Sequence, residues 1–343
     1  MDLSKIVIPL LDWYEKNARN LPWRTNTDPY RVWVSEIMLQ QTRVETVKPY
    51  FLHFIQELPT LQHLAQAPDE KILKLWEGLG YYSRVRNMKK AAQQICKDYK
   101  GIFPGNFQDM LSLPGIGTYT AGAICSIAFG QPVPAVDGNV LRVMTRLTQD
   151  GTDITQPAFK KTITAKLSTI YPDTKCGEFT QSLMELGALI CIPTEPSCSH
   201  CPLQSLCQSA LHGTQNNYPV IPAKKERAKE IITVLLLYDK DKVAIRKRPD
   251  SGLLRGLWEF PHIAGNASIN EITAYLKHQG ISAQSLRQGL HTKHIFTHVE
   301  WEMTSYMIPC TAGGSYLWVT KNELYKSYTL PTAFKKFLHT LPL

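Results

Sequence analysis

Apolar residues recur at helical spacing through roughly the first 210 positions of the chain. The pattern predicts helices in Tyr30–Val47, Lys71–Leu75, Arg84–Tyr99 and Thr118–Phe129. The opening stretch, through Lys16, reads as an amphipathic helix. Pro22, Pro29, Pro49, Pro59, Pro68, Gly101, Pro104 and Pro114 punctuate the series. The stretch Gly213–Glu230 is polar, contains Pro219 and Pro222, and ends in the charged run Lys224–Glu230, as a linker does. Beyond it the apolar period changes. Ile231–Tyr238, Val243–Arg248 and Glu300–Ile308 read as strands, and Thr273–Lys277 and Ala333–Leu338 as short helices. The expected architecture is multidomain: an all-α region over 1–215, a linker over 216–230 and a small α+β domain over 231–343. No internal repeat or low-complexity tract interrupts it.

A chain of 343 residues has room for two or three domains, each with its own core. No apolar run approaches the length that spans a bilayer. The opening residues lack the basic, apolar and cleavage segments of a signal peptide. The expected location is therefore the cytoplasm, bacterial-type and nucleoid-associated, without a membrane partner. The formal net charge is +9. Residues 216–343 carry 17 Lys+Arg and 10 Asp+Glu, a net of +7, which leaves +2 for residues 1–215. An excess of this sign serves solubility as well as it serves a polyanion such as nucleic acid. Charge alone does not choose between them.

Four of the eight cysteines fall in Cys191-x6-Cys198-x2-Cys201-x5-Cys207. In a chain without secretion signals, clustered thiols favour metal over disulfides. Zinc usually takes two close pairs well separated in sequence, and only one pair here is close. Four thiolates in one short loop suit a [4Fe–4S] cluster, with zinc and disulfides as the competing readings. Cys96, Cys125, Cys176 and Cys310 receive no role.

Leu113-Pro-Gly-Ile-Gly-Thr-Tyr-Thr-Ala-Gly122 lies between two helical patterns. Gly115 and Gly117 permit a tight hairpin, after which successive backbone N–H groups point outward from the next helix start. That geometry binds phosphate without side-chain charge. It is the pattern of a helix-hairpin-helix DNA-binding motif, although a plain helix connection uses glycine too. Glu36 sits among apolar neighbours in Val32-Trp-Val-Ser-Glu-Ile-Met-Leu39. Burial there raises its pKa and suits it to general acid catalysis; a Glu on a solvated helix edge is the plain alternative. Asp137, in Val136-Asp-Gly-Asn-Val140, precedes a helix, where Asp is a favoured cap. The helix dipole and N–H contacts are expected to keep it ionised. One neutral and one ionised carboxyl form the usual pair for cleaving a bond to an anomeric carbon.

In that order, LPGIGTYTAG, VDGN and the four cysteines resemble the helix-hairpin-helix DNA glycosylases of the endonuclease III type. Leu21-Pro-Trp-Arg24, Asp28–Val44 and Trp76-Glu-Gly-Leu-Gly-Tyr-Tyr-Ser-Arg84 are similar to the MutY-type adenine glycosylases within that superfamily. The resemblance covers essentially the whole chain. It implies an all-α glycosylase core with a [4Fe–4S] loop: a six-helix domain over about 22–130, and an iron–sulfur domain from 1–21 plus 131–215. It implies excision of adenine opposite 8-oxoguanine or guanine in double-stranded DNA, from a flipped nucleotide. Glu36 would protonate adenine and Asp137 would stabilise the sugar cation, supported by Tyr119 and Asn139. Arg19, Trp23, Arg24 and Gln181 would line the adenine pocket. Gln41, Thr42, Leu79 and Tyr81 match residues that wedge into the duplex and contact 8-oxoguanine. At the hairpin position where the related lyases carry Lys, this chain has Tyr119, which forms no Schiff base; a monofunctional enzyme is expected.

The C-terminal segments Thr233–Tyr238, Val243–Pro249 and Gly256–Pro261 resemble a Nudix fold. Gly265 and Glu271 match the first half of the Nudix metal box, but Gln279-Gly280 stand where Arg-Glu should be, so no hydrolase activity is expected. The domain is similar to the 8-oxoguanine-reading domain of the MutY type, with Phe296-Thr297-His298 in place of Phe-Ser-His. A DNA-binding iron–sulfur redox sensor without enzyme activity is the competing functional class. No oligomer-forming signal is visible, and a monomer is expected.

Overall fold

The computed structural model describes residues 2–223 and 226–342. Cα packing divides the chain into two compact units. The first holds residues up to 67 together with 86–223; the second holds 68–85 together with the C-terminal residues beyond 223.

The N-terminal half is helical as the apolar periodicity predicts. Its helices are α1 (Val7–Asn17), α2 (Pro29–Leu39), α3 (Val44–Glu57), α4 (Leu61–Gln66), α5 (Asp69–Leu75), α6 (Ser83–Asp98), α7 (Phe107–Leu111), α8 (Thr118–Phe129), α9 (Gly138–Thr148), α10 (Pro157–Ser168), α11 (Cys176–Leu189) and α12 (Gln208–Leu211). The single helix expected over Tyr30–Val47 is two, because Gln40 leaves the helical conformation and Gln41 takes a positive φ. Asp28 caps α2 through the Tyr30 N–H, with Pro29 at the first helical position. Every residue of α2 from Val32 to Met38 is buried, Glu36 included. α8 is buried from Thr120 to Ser126, and it packs on α2 and α11. A second helical core joins Ile6 and Leu10 to Val140, Met144, Phe179 and Leu183.

The second unit is built on a seven-stranded sheet: β1 (Ala228–Asp239), β2 (Lys242–Lys247), β3 (Trp258–Glu259), β4 (His262–Ala264), β5 (Arg287–Ile295), β6 (Val299–Pro309) and β7 (Leu317–Thr320). The main order is β3-β2-β1-β6-β5, with β4 on β1 and β7 on β2. β1 and β6 run parallel. Ile232, Val234 and Leu236 face one core with Phe334 and Phe337, while Leu235 and Leu237 face another with Ile272 and Leu276 of α13 (Ile269–His278). Both faces are covered, which explains an apolar run without alternation in β1. β5 escaped the sequence reading: its burial alternates only between exposed and partly exposed positions, so it has no apolar face. The remaining helices are α14 (Lys321–Ser327) and α15 (Thr332–Lys335). β1 begins at Ala228, inside the stretch expected to be linker.

The most unexpected assignment is residues 68–85, which lie in the helical half of the sequence yet pack with the C-terminal unit. Lys74 Nζ donates to the Tyr328 carbonyl at 3.1 Å, Glu77 Oε1 accepts from the Leu330 N–H at 2.9 Å, and Lys335 pairs with Glu77 at 3.3 Å. A local apolar pattern predicts α5 but not its packing partner.

Where α8 packs against the irregular segment that follows it, there is no space for a side chain. A Cβ on Gly122 would lie 2.3 Å from the Pro134 carbonyl oxygen, a backbone atom that cannot rotate away. Gly122→Ala is therefore expected to destabilise the helical unit by at least about 2 kcal/mol, read as a lowered urea midpoint. A midpoint equal to that of the parent would show that this crossing is not tight.

Candidate active site

The first unit contains a cavity of about 1360 Å³. It brings together Glu36 from α2, Tyr119 from α8, and Asp137 and Asn139 from the start of α9. Arg19, Trp23, Arg24 and Gln181 line it, and so do Gln41 and Thr42 at the α2–α3 break. Residues separated by more than 150 positions in sequence thus share one wall, which no local pattern reveals.

Glu36 is 6% exposed. Burial pushes its pKa from 4.5 to about 7, Asp137 adds to the rise, and a hydrogen bond from the Tyr119 hydroxyl to Glu36 Oε2 opposes it. Asp137 caps α9: Oδ1 accepts from the Val140 N–H at 2.8 Å, and Oδ2 from Asn139 Nδ2 at 2.8 Å. The expectation that the helix start and these contacts keep Asp137 ionised takes no account of burial, which opposes them. Burial is the largest influence on it and the net shift is upward, with the contacts only opposing. Three donors, the two above and the Asn139 N–H, still favour the anion of Asp137, against the single Tyr119 hydroxyl on Glu36. Of the two carboxyls, Asp137 is the better supported as an anion and Glu36 as an acid.

Two residues that the sequence reading missed hold this arrangement. Glu185, 1% exposed, accepts from Arg19 at 2.8 and 2.7 Å and from Arg24 at 2.8 Å. Burial alone would raise its pKa, but the two guanidinium groups bring it below the usual range. It stands one turn after Gln181 on the same face of α11, a spacing that could have found it. Arg142, one turn after Asn139, donates from Nε to the Cys191 carbonyl and from Nη2 to Asn139 Oδ1 and the Gly187 carbonyl, each at 2.8 Å. A continuous chain of hydrogen bonds thus runs from the cysteine loop through Arg142 and Asn139 to Asp137.

The four cysteines of that loop are partly exposed and unpaired as disulfides. They lie within electrostatic reach of one another. Burial pushes the Cys201 thiol up to about 12, and Cys191, Cys207 and Cys198 push the same way. Burial likewise raises Cys198 and Cys207, so ionising these thiols together is costly unless a cation shares the loop. Among the described residues no three His, Cys, Asp or Glu side chains are drawn closely enough to hold a single ion. Arg146, 1% exposed, fixes the loop by donating to Cys191 Sγ at 3.4 Å and to the Ile192 and Pro193 carbonyls at 2.6 and 2.8 Å.

Gly115 has φ +78°, and a Cβ there would meet Asn87 Cβ at 2.7 Å. Gly117 caps α8 from extended backbone, and a Cβ there would meet nothing within 4 Å. The interior requires glycine at 115 only; the open space at 117 leaves the amides at the α8 start reachable by an external anion.

The remaining predicted contacts lie in the second unit. Phe296-Thr297-His298 forms the β5–β6 turn, closed by the Phe296 N–H on the Val299 carbonyl at 2.8 Å. Phe296 packs edge-on to Trp301 at 4.8 Å, which leaves Thr297 and His298 exposed. Tyr81, at φ +45° and 47% exposed, shares a 2.7 Å hydrogen bond with the Thr297 hydroxyl. The Arg84 guanidinium lies over both Tyr81 and Trp76. Leu79 is buried. The Glu271 carboxylate accepts from the Ser268 N–H and hydroxyl at 2.7 Å and closes a capping box at the start of α13.

Burial of Glu36 has a testable consequence for stability. A folded-state pKa near 7 against 4.5 means that the folded chain holds the extra proton between those values. Stability then falls as pH rises from 4.5 towards 7 and stays reduced above it. Glu36→Gln removes the penalty and should stabilise the protein at pH 8 by up to about 3 kcal/mol, with the gain vanishing near pH 4. Urea midpoints across that range check the sign; a variant weaker than the parent at pH 8 would contradict a penalised carboxyl.

Comparison with known proteins accords with this geometry. Residues 34–168 match the HhH-GPD superfamily of base excision DNA repair proteins, and residues 233–340 match the NUDIX domain. The chain is 33% identical to the adenine DNA glycosylase of Rattus norvegicus, covering 95% of this chain and 76% of that one. It is 35% identical to the adenine DNA glycosylase of Arabidopsis thaliana over 87% of this chain, but spans only 56% of that relative's length. A solved endonuclease III–DNA complex shares the fold, with a TM-score of 0.53 and 22% identity, covering 63% of this chain and all of that one. With this helical core and a Nudix-like C-terminal domain, the chain belongs to the MutY-type adenine DNA glycosylases of the helix-hairpin-helix superfamily.

Proposed function

We propose that this protein excises adenine paired with 8-oxoguanine or guanine in duplex DNA, by acid-assisted hydrolysis of the N-glycosidic bond of a flipped nucleotide. The observation that carries the reading is one cavity lined both by a buried Glu36, whose pKa burial raises to about 7, and by an Asp137 held by the Val140 amide. Glu36 gives its proton to N7 of the extruded adenine, so the base leaves neutral. The electron pair of the C1′–N9 bond departs with the base, and the Asp137 carboxylate stabilises the sugar cation. Water adds at C1′ and yields its proton, leaving an abasic but unbroken strand. Tyr119 holds Glu36 in place and carries no amine, so no Schiff base forms through it.

The Arg19–Arg24–Glu185 cluster offers donors and a carboxylate to the edge of a purine. Cys191, Cys198, Cys201 and Cys207 would hold a [4Fe–4S] cluster; its thiolate ligation would fold the loop whose carbonyl at Cys191 anchors Arg142. Thr297, on an exposed turn and bonded to Tyr81, would read the 8-oxoguanine edge together with that tyrosine. The protein acts as a monomer on duplex DNA.

Incubation with a duplex holding one adenine opposite 8-oxoguanine, followed by alkali, should give a single cleavage, and without alkali none. Single-turnover release should fall as pH rises through about 7, as Glu36 loses its proton. Glu36→Gln should abolish release while mispair binding persists. Absence of alkali-dependent cleavage by the parent would sink the reading. Thr297→Val should cut the preference for adenine opposite 8-oxoguanine over adenine opposite guanine by about tenfold, the value of one base-edge contact. Equal losses on both duplexes would remove Thr297 from recognition. Purified protein should contain four irons and four acid-labile sulfides per chain.

A further inference from the structure

Five cationic side chains line the cavity: Arg19, Arg24, Arg43, Arg142 and Lys160. Three are committed within the protein. Arg19 and Arg24 converge on Glu185, and Arg142 is held by the Cys191 and Gly187 carbonyls and by Asn139. Arg43 is exposed at the start of α3. Lys160 differs from all four. It stands in the first turns of α10 and is half-buried, and its ammonium makes no hydrogen bond or ion pair to any described residue. Asp137 is the one charge within its electrostatic reach, and burial outweighs that attraction. An ammonium that gives up part of its hydration without a partner is costly in the free protein. A ligand anion would supply the partner.

The substrate brings such an anion. An extruded nucleotide carries a phosphodiester on each side of its sugar, and both must stay at the wall of the cavity that receives the sugar. Asp137 is the carboxyl that faces that sugar under the reading above, and Lys160 is an uncommitted cation within its electrostatic reach. We propose that Lys160 holds a phosphodiester flanking the extruded nucleotide and so seats the sugar against Asp137. This assignment rests on the glycosylase reading; its contact is with the charged backbone and not with the base.

The test uses the full-length protein and a duplex bearing a non-cleavable adenosine analogue opposite 8-oxoguanine. Lys160→Gln should weaken binding and make the slope of log Kd against log salt shallower by about 0.9, the value of one phosphate contact. Lys160→Arg should keep the slope. For the parent protein, replacing one of the two phosphates flanking the analogue by an uncharged methylphosphonate should give the same loss. Lys160→Gln on that same duplex should lose nothing further. An unchanged slope in Lys160→Gln overturns the assignment. So do losses from variant and methylphosphonate that simply add, or a parent insensitive to both methylphosphonates. Adenine release by the parent from a cleavable duplex is measured alongside. Failure there refutes the glycosylase reading, whereas the slope comparison scores the lysine separately.

Discussion

The arrangement depends on the cost of burying two carboxyls in one cavity. Neither Glu36 nor Asp137 can be buried as an unsupported anion, and their proximity makes a second negative charge costlier than the first. The protein meets this unequally. α2 surrounds Glu36 with apolar residues and grants it one hydroxyl donor, whereas the start of α9 directs amides at Asp137. The helix termini and hydrogen bonds around the cavity act to keep those two environments different. The difference in environment, and not the identity of the residues, separates an acid from an anion.

Holding that difference requires positional accuracy at Asp137, and the structure supplies it from a distance. Asn139 reaches Asp137, Arg142 reaches Asn139, and Arg142 in turn rests on carbonyls of α11 and of the cysteine loop. Arg142 and Arg146 stand one turn apart on α9 and between them bind three consecutive residues of that loop, Cys191 to Pro193. Ordering the loop therefore bears on the geometry of a carboxyl it never touches. Glu185 performs a similar service in the same cavity, where it fixes two arginines that would otherwise repel each other.

The second unit shows how sequence order and packing diverge. Glu77 accepts from the Leu330 amide and pairs with Lys335, and Tyr81 meets Thr297, across more than 200 residues of chain. The segment carrying Tyr81 thus shares its hydrogen bonds with the turn carrying Thr297. Arg84, placed over Trp76 and Tyr81 and bonded to the Leu79 carbonyl, keeps the tyrosine at a positive φ that a non-glycine residue adopts only under constraint.

Much of this was legible in the sequence wherever the governing physics is local. Helical period and the placement of proline and glycine gave α6 and α8 within a residue, and the start of α2 but not its end. The spacing of four thiols, the hairpin glycines and an apolar frame around Glu36 marked candidate residues. Local signals failed where a residue's meaning comes from its partner. β5 has no apolar face to betray it, the break at Gln40–Gln41 lies in a run of helix formers, and the upward shift of Asp137 follows from burial that a capping pattern does not encode. Glu185, Arg142 and Lys160 look like ordinary surface charges in the sequence. Only the folded chain decides that the first two are bonded across helices and the third is left facing a cavity, because hydrogen bonds and ion pairs join residues close in space however far apart they lie in sequence.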